Sequence, residues 1–533
     1  MKAAVVASLF LTPILPAYEV HEWGTFTTVS ASNGTLLAGL HVEEEHLPPF
    51  VYSHIGMESD INTRDAYNRQ TGNIRQLPQN SDQIAVHLDA KTQQASARFG
   101  KGLAGANLHN VTVKMETPVI YFYGDDTPKV NVKVGFNGGT ISQWYPKRKT
   151  GDTPHSISLD GYKITDSHAH LLDGLRTAVD LRKPIDFANP YQGSIEWDVN
   201  ILPKDQADTA LTFKPFENYT WIYPRVPNAN MLKVDDEYED YLFYRGIGNF
   251  ELPATFSVDD NETLSVSNNS RDAIPFALAF ENINGKFRYK NLSNIPSNSV
   301  ISVSENDWIS PQNQQVEVFQ AMRAGLVAQG LTTDEANSMI RTWWKSYFNK
   351  PGLRVFWVVP SHDLEKILPL TLTPQPEKAV RVMVGRADIL RPSFEQSLVK
   401  TVGKSSFQPY ETDRFQLAYK QRLEQLITEP VFSHLSPQGI GMQTFQIKAI
   451  GNNTQQAGSI AFYSSRDVKI TAYNTDAEKS WGLSGAWKIL DDTSLQIDDH
   501  IFELNPKTGI LTSKTTANSN WNRFEIQLKR YLN

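Results

Sequence analysis

The chain has 533 residues, of which 40% are hydrophobic and 20% charged, a composition typical of folded domains rather than of disorder. Its net charge is -7, from 51 basic and 58 acidic residues. No basic stripe stands out, so the electrostatic footprint of nucleic-acid binding is missing. The sequence has no cysteine, which excludes disulfides, thiolate nucleophiles and cysteine-ligated metals.

The first 17 residues have the pattern of a secretory signal peptide. Lys2 supplies a positive charge, an apolar run follows from Ala3 to Leu11, and Ala17 is the expected cleavage site. No later run approaches the ~20 consecutive apolar residues of a membrane-spanning helix. We therefore expect a periplasmic or extracellular protein without a transmembrane span in the mature chain. An uncleaved anchor or a buried first strand is the alternative.

Between residues 18 and 305 the sequence predicts almost only strands. Residues 111–123 are rich in β-branched and aromatic side chains, and Pro118 within them indicates an edge strand or a bulge. Two more strands follow after short turns, at 130–136 and 140–145, and we expect the three to form an antiparallel meander. Many short strands separated by Asn, Gly and Pro predict β-sandwiches.

A helical hairpin is predicted near residue 310. Ser310 and Pro311 form a helix start signal, and Gly330 is expected to end the first helix. Thr332 and Glu335 form a capping box for the second. Strands return at 353–359 and 379–386, a third helix is expected from 412 to 427, and further strands complete the chain.

These patterns predict a mainly β fold of antiparallel β-sandwich-like domains with an inserted helical hairpin. After the signal peptide at 1–17, a large β-rich region is expected at 18–305, with room for two subdomains. A helical hairpin with strands follows at 306–430, and a C-terminal β module at 431–533.

Two stretches near the N-terminus concentrate ionisable side chains. Residues 21–28 read His-Glu-Trp-Gly-Thr-Phe-Thr-Thr, and residues 41–46 read His-Val-Glu-Glu-Glu-His. In an extended chain His41, Glu43 and Glu45 share one face, because side chains alternate. With His21 or Glu22 from a neighbouring strand they are candidate ligands of a divalent metal. The alternative is a solvated acidic edge, with His21 hydrogen-bonded inside the protein.

Two carboxylates are candidate catalytic groups, Glu22 in the first stretch and Glu116 in the apolar strand. A buried carboxylate is costly unless it is paired, so Glu116 either faces out or pairs with Arg245 or Arg386. If it points into a cleft instead, it can serve as a general acid. Arg381 is expected on the strand face opposite to its valine neighbours.

Several segments carry a resemblance to other proteins. They are His21-Glu22-Trp23-Gly24-Thr25-Phe26-Thr27, residues 47–52, 114–123, 139–146 and 242–246, and Val380-Arg381-Val382-Met383-Val384-Gly385-Arg386. Together they resemble a set of exported bacterial proteins of uncharacterised function that share the His-Glu-Trp-Gly-Thr-Phe-Thr segment. The resemblance covers residues 20–395. It implies export and a shared multi-segment architecture, and it implies no catalytic residue.

Two functional hypotheses follow. The first is an exported binding or structural protein of the cell envelope or exterior, which recognises polysaccharide or another envelope component through exposed aromatic rings. The second is a secreted hydrolase that uses the carboxylates or a divalent metal. We favour the first, because the sequence shows no complete set of catalytic residues.

Overall fold

A computed structural model describes residues 18–40, 47–48, 50–53, 85–89, 92–97, 108–125, 128–152, 156–158, 161, 163–164, 177–180, 185–188, 191–203, 211, 220–400, 413–426, 443–450, 455–462, 467–473, 481–491, 494–505, 510–514 and 523–527. The chain forms two compact units, 1–391 and 392–533. The predicted mainly β fold, with antiparallel sheets and few helices, is confirmed. The predicted divisions after residues 305 and 430 rest on sequence patterning and stay predictions.

The first unit holds 25 described strands. In chain order they are β1 (Tyr18–Ser30), β2 (Tyr52–Ser53), β3 (Ala85–Asp89), β4 (Gln94–Ala97), β5 (Leu108–His109), β6 (Val113–Gly124), β7 (Lys129–Asn137), β8 (Gly139–Tyr145), β9 (Thr150–Gly151), β10 (Ser156–Ser158), β11 (Lys163–Ile164), β12 (Thr177–Asp180) and β13 (Ile185–Asp186). They continue as β14 (Gln192–Ile201), β15 (Leu232–Val234), β16 (Glu237–Glu239), β17 (Leu242–Gly248), β18 (Ala254–Val258), β19 (Leu264–Asn268), β20 (Ala277–Ile283), β21 (Lys286–Asn291), β22 (Ser299–Val303), β23 (Gly352–Val358), β24 (Leu370–Thr373) and β25 (Lys378–Ile389).

A nine-stranded sheet in the order β2-β8-β17-β6-β1-β25-β23-β20-β21 is the largest element of this unit. Its central strand, β1, pairs antiparallel with β6 and parallel with β25. Almost every residue of β1 is buried, because both faces of the sheet are covered by other layers. A strand covered on both faces buries side chains on both, and this explains why β1 and β6 do not alternate between apolar and exposed polar residues.

Further strands cover one face of this sheet. They form a six-stranded sheet, β16-β15-β14-β7-β24 with β9 beside β14, and a three-stranded sheet, β18-β19-β22. Their buried side chains join one hydrophobic core with that face of the large sheet. Core members include Tyr18, Val20, Phe26, Val132, Trp144, Trp197, Tyr244, Phe256 and Trp357. Two smaller sheets, β10-β12-β3-β4-β11 and β13-β5, complete the described strands of this unit.

Helices cover the other face. They are α1 (Gln314–Ala328) and α2 (Thr333–Trp343), which a π-helical turn at Trp344–Phe348 continues. A 3₁₀ turn at Thr220–Ile222 lies on the same face, since Trp221 packs in the core on that side of the sheet. The described helical elements elsewhere in the unit are α3 (Ser361–Ile367) and a 3₁₀ turn at Glu305–Asp307. A second core lies between α1, α2 and the large sheet, and it includes Trp23, Tyr121, Phe243, Met339, Trp343 and Val382. The unit thus has three layers: sheet, sheet and helices.

The predicted helical hairpin is confirmed, with one correction. The capping box is present, since the Glu335 amide donates to Thr332 Oγ1 at 3.1 Å and the Thr332 amide donates to the Glu335 carboxylate at 2.7 Å. However, α1 begins at Gln314, so Ser310 and Pro311 precede it as irregular chain. In the described part of the chain no helix is long and apolar enough to cross a membrane.

The predicted meander of residues 111–145 is wrong. Strands β6 and β8 belong to the nine-stranded sheet, whereas β7 between them lies in the six-stranded sheet. The burial patterns explain the difference: β8 is buried throughout, while β7 alternates between buried and exposed residues. A strand that is buried on both faces lies in a middle layer, and a half-buried strand suits an outer layer.

Pro118 forms a bulge in a central strand. The pairing of β1 and β6 shifts between Trp23 and Thr25, so that Gly24 lies opposite two residues, Thr117 and Pro118. Thr117 has a φ of 48°, which is uncommon for a residue with a branched Cβ. A Cβ on Gly24 would lie 2.8 Å from Pro118 Cα. The glycine is therefore required by the bulge that the proline imposes.

The second unit contains a closed barrel. Its helices are α4 (Pro392–Val399) and α5 (Gln416–Leu426), the latter close to the predicted third helix. Eight antiparallel strands form the barrel, and β26 closes it against β33. The strands are β26 (Gln443–Ile450), β27 (Gln455–Phe462), β28 (Asp467–Tyr473), β29 (Trp481–Asp491), β30 (Ser494–Ile497), β31 (His500–Asn505), β32 (Ile510–Lys514) and β33 (Arg523–Gln527).

Candidate functional site

The stretch at 21–28 lies in β1, at the centre of the nine-stranded sheet. Its polar side chains are distributed over the two faces of the sheet. Successive side chains of a strand point to opposite sides. Glu22 therefore lies on the side of the six-stranded sheet with Arg381 and Tyr244, while His21 and Thr25 lie on the helix side. The dense cluster in the sequence becomes two separate polar groups in the fold.

Glu22 forms a buried ion pair with the strand beside it. Its Oε2 accepts a hydrogen bond from Arg381 Nε at 2.6 Å, and the Tyr244 hydroxyl donates to its Oε1. Arg381 is held in addition by Glu365 and by the Leu368 carbonyl. Burial, together with the charge of Glu22, raises the pKa of Tyr244 well above its usual value. Arg381 lies on the face opposite to its valine neighbours, as the alternation predicts.

His21 binds the start of α2. Its Nδ1 lies 3.0 Å from both carboxylate oxygens of Glu335, and its Nε2 lies 3.7 Å from Glu19. The Tyr123 hydroxyl also donates to Glu335, at 2.8 Å. Burial alone would raise the pKa of Glu335, but the hydrogen bonds and charge of His21, with the Thr332 amide, lower it overall. This is the alternative in which His21 is hydrogen-bonded inside the protein.

Of the candidate metal ligands, His21 and its alternative Glu22 lie in the described part of the chain. His41, Glu43 and Glu45 lie outside the described residues. Within the described ranges, no group of three or more His, Asp or Glu side chains is placed to hold a metal ion. Since two or more further ligands are needed for a divalent cation, the metal site with His21 stays a prediction.

We expect the Glu335→Gln variant to be less stable than the parent protein at neutral pH, and to differ from it much less at acid pH. A carboxyl whose pKa is lowered on folding contributes stability above its unfolded pKa, near 4.5, and loses that contribution as the pH falls through the lowered value. Glutamine can keep the capping bond but not the charge. At pH 7 the variant should lose about 2 kcal/mol, measured by urea unfolding.

The same comparison at pH 3 should show a much smaller difference. Asp334→Asn, at an exposed position in the same helical turn, is the matched control and should change little at either pH. A Glu335→Gln effect that is equal at both pH values would contradict this role of the carboxylate.

Glu116 forms a second buried ion pair, on the helix side of the sheet. Its carboxylate lies 2.7 Å from Lys114 Nζ and 3.4 Å from an Arg245 guanidinium nitrogen. The pair with Arg245 is one of the two predicted from the sequence. Thr25 Oγ1 lies 2.8 Å from the Tyr347 hydroxyl, and Thr25 faces Glu116 across the strand pair. Glu116 is 1% exposed, so in this arrangement it does not line an open cleft.

A further group of buried charges lies on the helix side of the sheet, and the sequence alone did not predict it. Asp388 lies 2.8 Å from the Nε atoms of both Arg354 and Arg386. Arg386 also stacks over the Tyr347 ring, with its guanidinium carbon 4.0 Å from the ring centroid. The signal available in the sequence was the period of two in β25, which places Arg386 and Asp388 on the same face. Their partners on β23 and the π-helical turn come from distant segments.

Asp240 is a described carboxyl whose pKa is raised toward neutral pH. It follows Glu239, which binds the Arg225 guanidinium at 2.9 and 2.6 Å and accepts a hydrogen bond from the Trp221 indole. Burial, followed by the charge of Glu239, raises the pKa of Asp240 from 3.8 to about 6, although Arg225 opposes the rise. The sequence shows only an acidic run at 235–240, which gave no reason to select Asp240.

We expect Asp240→Asn to stabilise the protein at pH 7. A carboxyl whose pKa rises on folding disfavours the folded state once it ionises, and the penalty grows as the pH rises from 3.8 to about 6. The gain at pH 7 should be about 1–2 kcal/mol after allowance for partial exposure. At pH 3.5 the variant and the parent should unfold alike, and a pH-independent gain would contradict the raised pKa.

No family model matches the chain, and no curated protein is significantly similar to it. The functional conclusion therefore depends on the geometry of these groups.

Proposed function

We propose that the protein is an exported binding or structural protein of the cell envelope or exterior, in which the first unit serves as a rigid scaffold. The observation that carries this proposal is the state of the two candidate catalytic carboxylates. Glu22 and Glu116 are both buried, and both are bound to cations on the same or a neighbouring strand. Such pairs cross-link strands and fix their register, whereas a general acid needs access to a substrate.

Export is proposed from the signal-peptide pattern of residues 1–17. Cleavage after Ala17 would keep all described residues of β1 (Tyr18–Ser30) in the mature chain. The Tyr18 hydroxyl donates to the Pro374 carbonyl, and its own carbonyl accepts from the Glu377 amide at 2.9 Å. N-terminal sequencing of the protein from periplasmic and culture fractions should give Tyr18 as the first residue. Recovery in the cytoplasm with Met1 or Lys2 first would overturn the proposal.

The ligand we propose for this function is polysaccharide or another envelope component. The support is compositional: aromatic residues make up 11% of the chain and can stack on sugar rings, and the net charge of -7 disfavours polyanionic nucleic acid. Among the described residues the large exposed hydrophobic side chains are aliphatic, for example Val300 and Ile501, and the described aromatic rings are buried or half-buried. This part of the proposal therefore rests on composition alone. Co-sedimentation of the mature chain with insoluble peptidoglycan, and with chitin as a comparison, tests this part. Absence of binding to either would remove the glycan ligand.

A secreted hydrolase is the second candidate, and Asp240 is the observation that favours it. Its pKa of about 6 suits a general acid. A screen of glycoside and ester substrates should then show activity that Asp240→Asn abolishes and Glu22→Gln does not. Metal analysis of the mature chain completes the test, because stoichiometric zinc, copper or calcium would support the site predicted from His21, His41, Glu43 and Glu45.

A further inference from the structure

In the described part of the barrel of the second unit, the side chains that face the interior are mostly apolar. Its described side chains alternate, as expected for a closed sheet whose strands face inside and outside in turn. The outward positions are exposed, for example Lys448, Lys488, Glu503 and Arg523. The inward positions are buried and mostly apolar: Ile447, Ile460, Trp487, Leu495, Ile497, Phe502, Leu511, Phe524 and Ile526. A barrel of eight strands is just wide enough to be filled by its own side chains or to hold one small ligand.

Among the described inward side chains, two buried polar atoms interrupt the apolar lining. His500 Nδ1 and Ser513 Oγ are both buried, and neither forms a hydrogen bond with the described part of the chain. Ser513 is 1% exposed. Leaving a buried hydroxyl or imidazole nitrogen without a partner is unfavourable, and nearly all such atoms in folded proteins bind protein, water or ligand.

The two atoms belong to one region of the interior. Ser513 lies directly opposite Phe502 on one neighbouring strand and Phe524 on the other. His500 precedes Phe502 by two residues and therefore shares its face, and its ring lies 5.5 Å from the Phe524 ring. His500 and Ser513 are thus diagonal neighbours on paired strands, whose Cα atoms are about 7–8 Å apart, and both side chains face the same part of the interior.

This region lies at one end of the barrel. His500 begins β31, directly after the two-residue turn at Asp498 and Asp499, and it is half-buried. Ser513 is the penultimate residue of β32 and is buried deeper.

We infer that the barrel binds a small, mainly apolar alcohol or phenol, whose hydroxyl is held by His500 Nδ1 and Ser513 Oγ. A hydroxyl group both donates and accepts, and the two protein groups can also do either. The aromatic and aliphatic lining takes the apolar body of the ligand. The described inward side chains carry no Lys, Arg, Asp or Glu, so an uncharged polar group fits better than an ion. This site is separate from the ion pairs of the first unit.

The test uses the full mature chain and two matched probes, 2-naphthol and naphthalene, which differ by one hydroxyl. Binding is followed by quenching of tryptophan fluorescence, since Trp487 is part of the lining. A site built to bind a hydroxyl should prefer 2-naphthol by at least about tenfold. Ser513→Ala and His500→Phe should each remove most of this preference and leave naphthalene binding nearly unchanged.

Lys488→Ala, at an exposed position on the same barrel, is the control and should not alter either affinity. Circular dichroism of each variant confirms that the barrel is folded, and Ser513→Gly provides a second removal of the hydroxyl if Ser513→Ala does not fold. Equal affinity for both probes, or no binding of either by the folded parent, would overturn the inference. In that case the two atoms are satisfied by water alone.

Discussion

Replacing Arg381 with methionine should lower the free energy of unfolding of the first unit by about 3–5 kcal/mol, as expected when one partner of a buried ion pair is removed. The Glu22 carboxylate, which is completely buried, would keep the Tyr244 hydroxyl but lose the guanidinium that lies 2.6 Å away. Methionine retains much of the apolar stem of arginine, so the loss reports the charge rather than an empty space. Urea unfolding followed by tryptophan fluorescence measures it.

A double-mutant cycle separates the pair from its surroundings. Adding Glu22→Gln to Arg381→Met removes the unpaired charge, so the double variant should recover about 2 kcal/mol relative to the sum of the single losses. Lys149→Met is the matched control, because Lys149 pairs with Glu196 and Asp198 at the surface, where ion pairs contribute little. If Arg381→Met is no more harmful than Lys149→Met, the pair does not stabilise the sheet.

Local structure was largely predictable from the sequence, because it depends on local signals. The capping box of Thr332 and Glu335 is such a signal, and it begins α2 as expected. The alternation in residues 130–136 identified β7, and the bulge at Pro118 follows from the missing amide of proline. The opposite orientations of Arg381 and its valine neighbours followed from the period of two.

The order of the strands was not predictable, and the site depended on it. No local signal indicates that β1 pairs in parallel with β25, which follows it by more than 300 residues. The spatial neighbours of Glu22 and His21 therefore do not follow from the sequence, and their proximity along the chain suggests wrongly that their side chains form one group. The fold instead separates them, giving Glu22 to Arg381 and His21 to Glu335.

The segments that carry the resemblance come together in the fold. Each segment contributes to one strand of the nine-stranded sheet. In sheet order, the strands are β2 (from 47–52), β8 (139–146), β17 (242–246), β6 (114–123), β1 (21–27) and β25 (380–386). These six strands are consecutive neighbours in the nine-stranded sheet. Their unusual sequences have a common physical origin, since a middle layer requires apolar side chains on both faces and paired charges where polar groups are buried. A shared architecture of this sheet is thus what the resemblance predicts.

Substitution of Gly385, in the segment 380–386, is the second change for which we expect a large loss of stability. It lies directly opposite Trp357 on β23, and the indole covers it. A Cβ at this position would lie 2.2 Å from the Cε2 and Nε1 atoms of Trp357, which is 1% exposed and has no room to move. Gly385→Ala should therefore destabilise the first unit by about 3 kcal/mol, at the upper end of the usual cost of overpacking.

Reducing the indole tests the cause directly. Trp357→Phe alone leaves a cavity and should cost about 1–3 kcal/mol, but phenylalanine makes space for the new methyl group. The double variant Gly385→Ala with Trp357→Phe should then lose clearly less stability than the two single losses together, by about 2 kcal/mol. Strict additivity in urea unfolding would mean that the alanine is harmful for a different reason, such as a change in the backbone of β25, and that contact with Trp357 does not require a glycine.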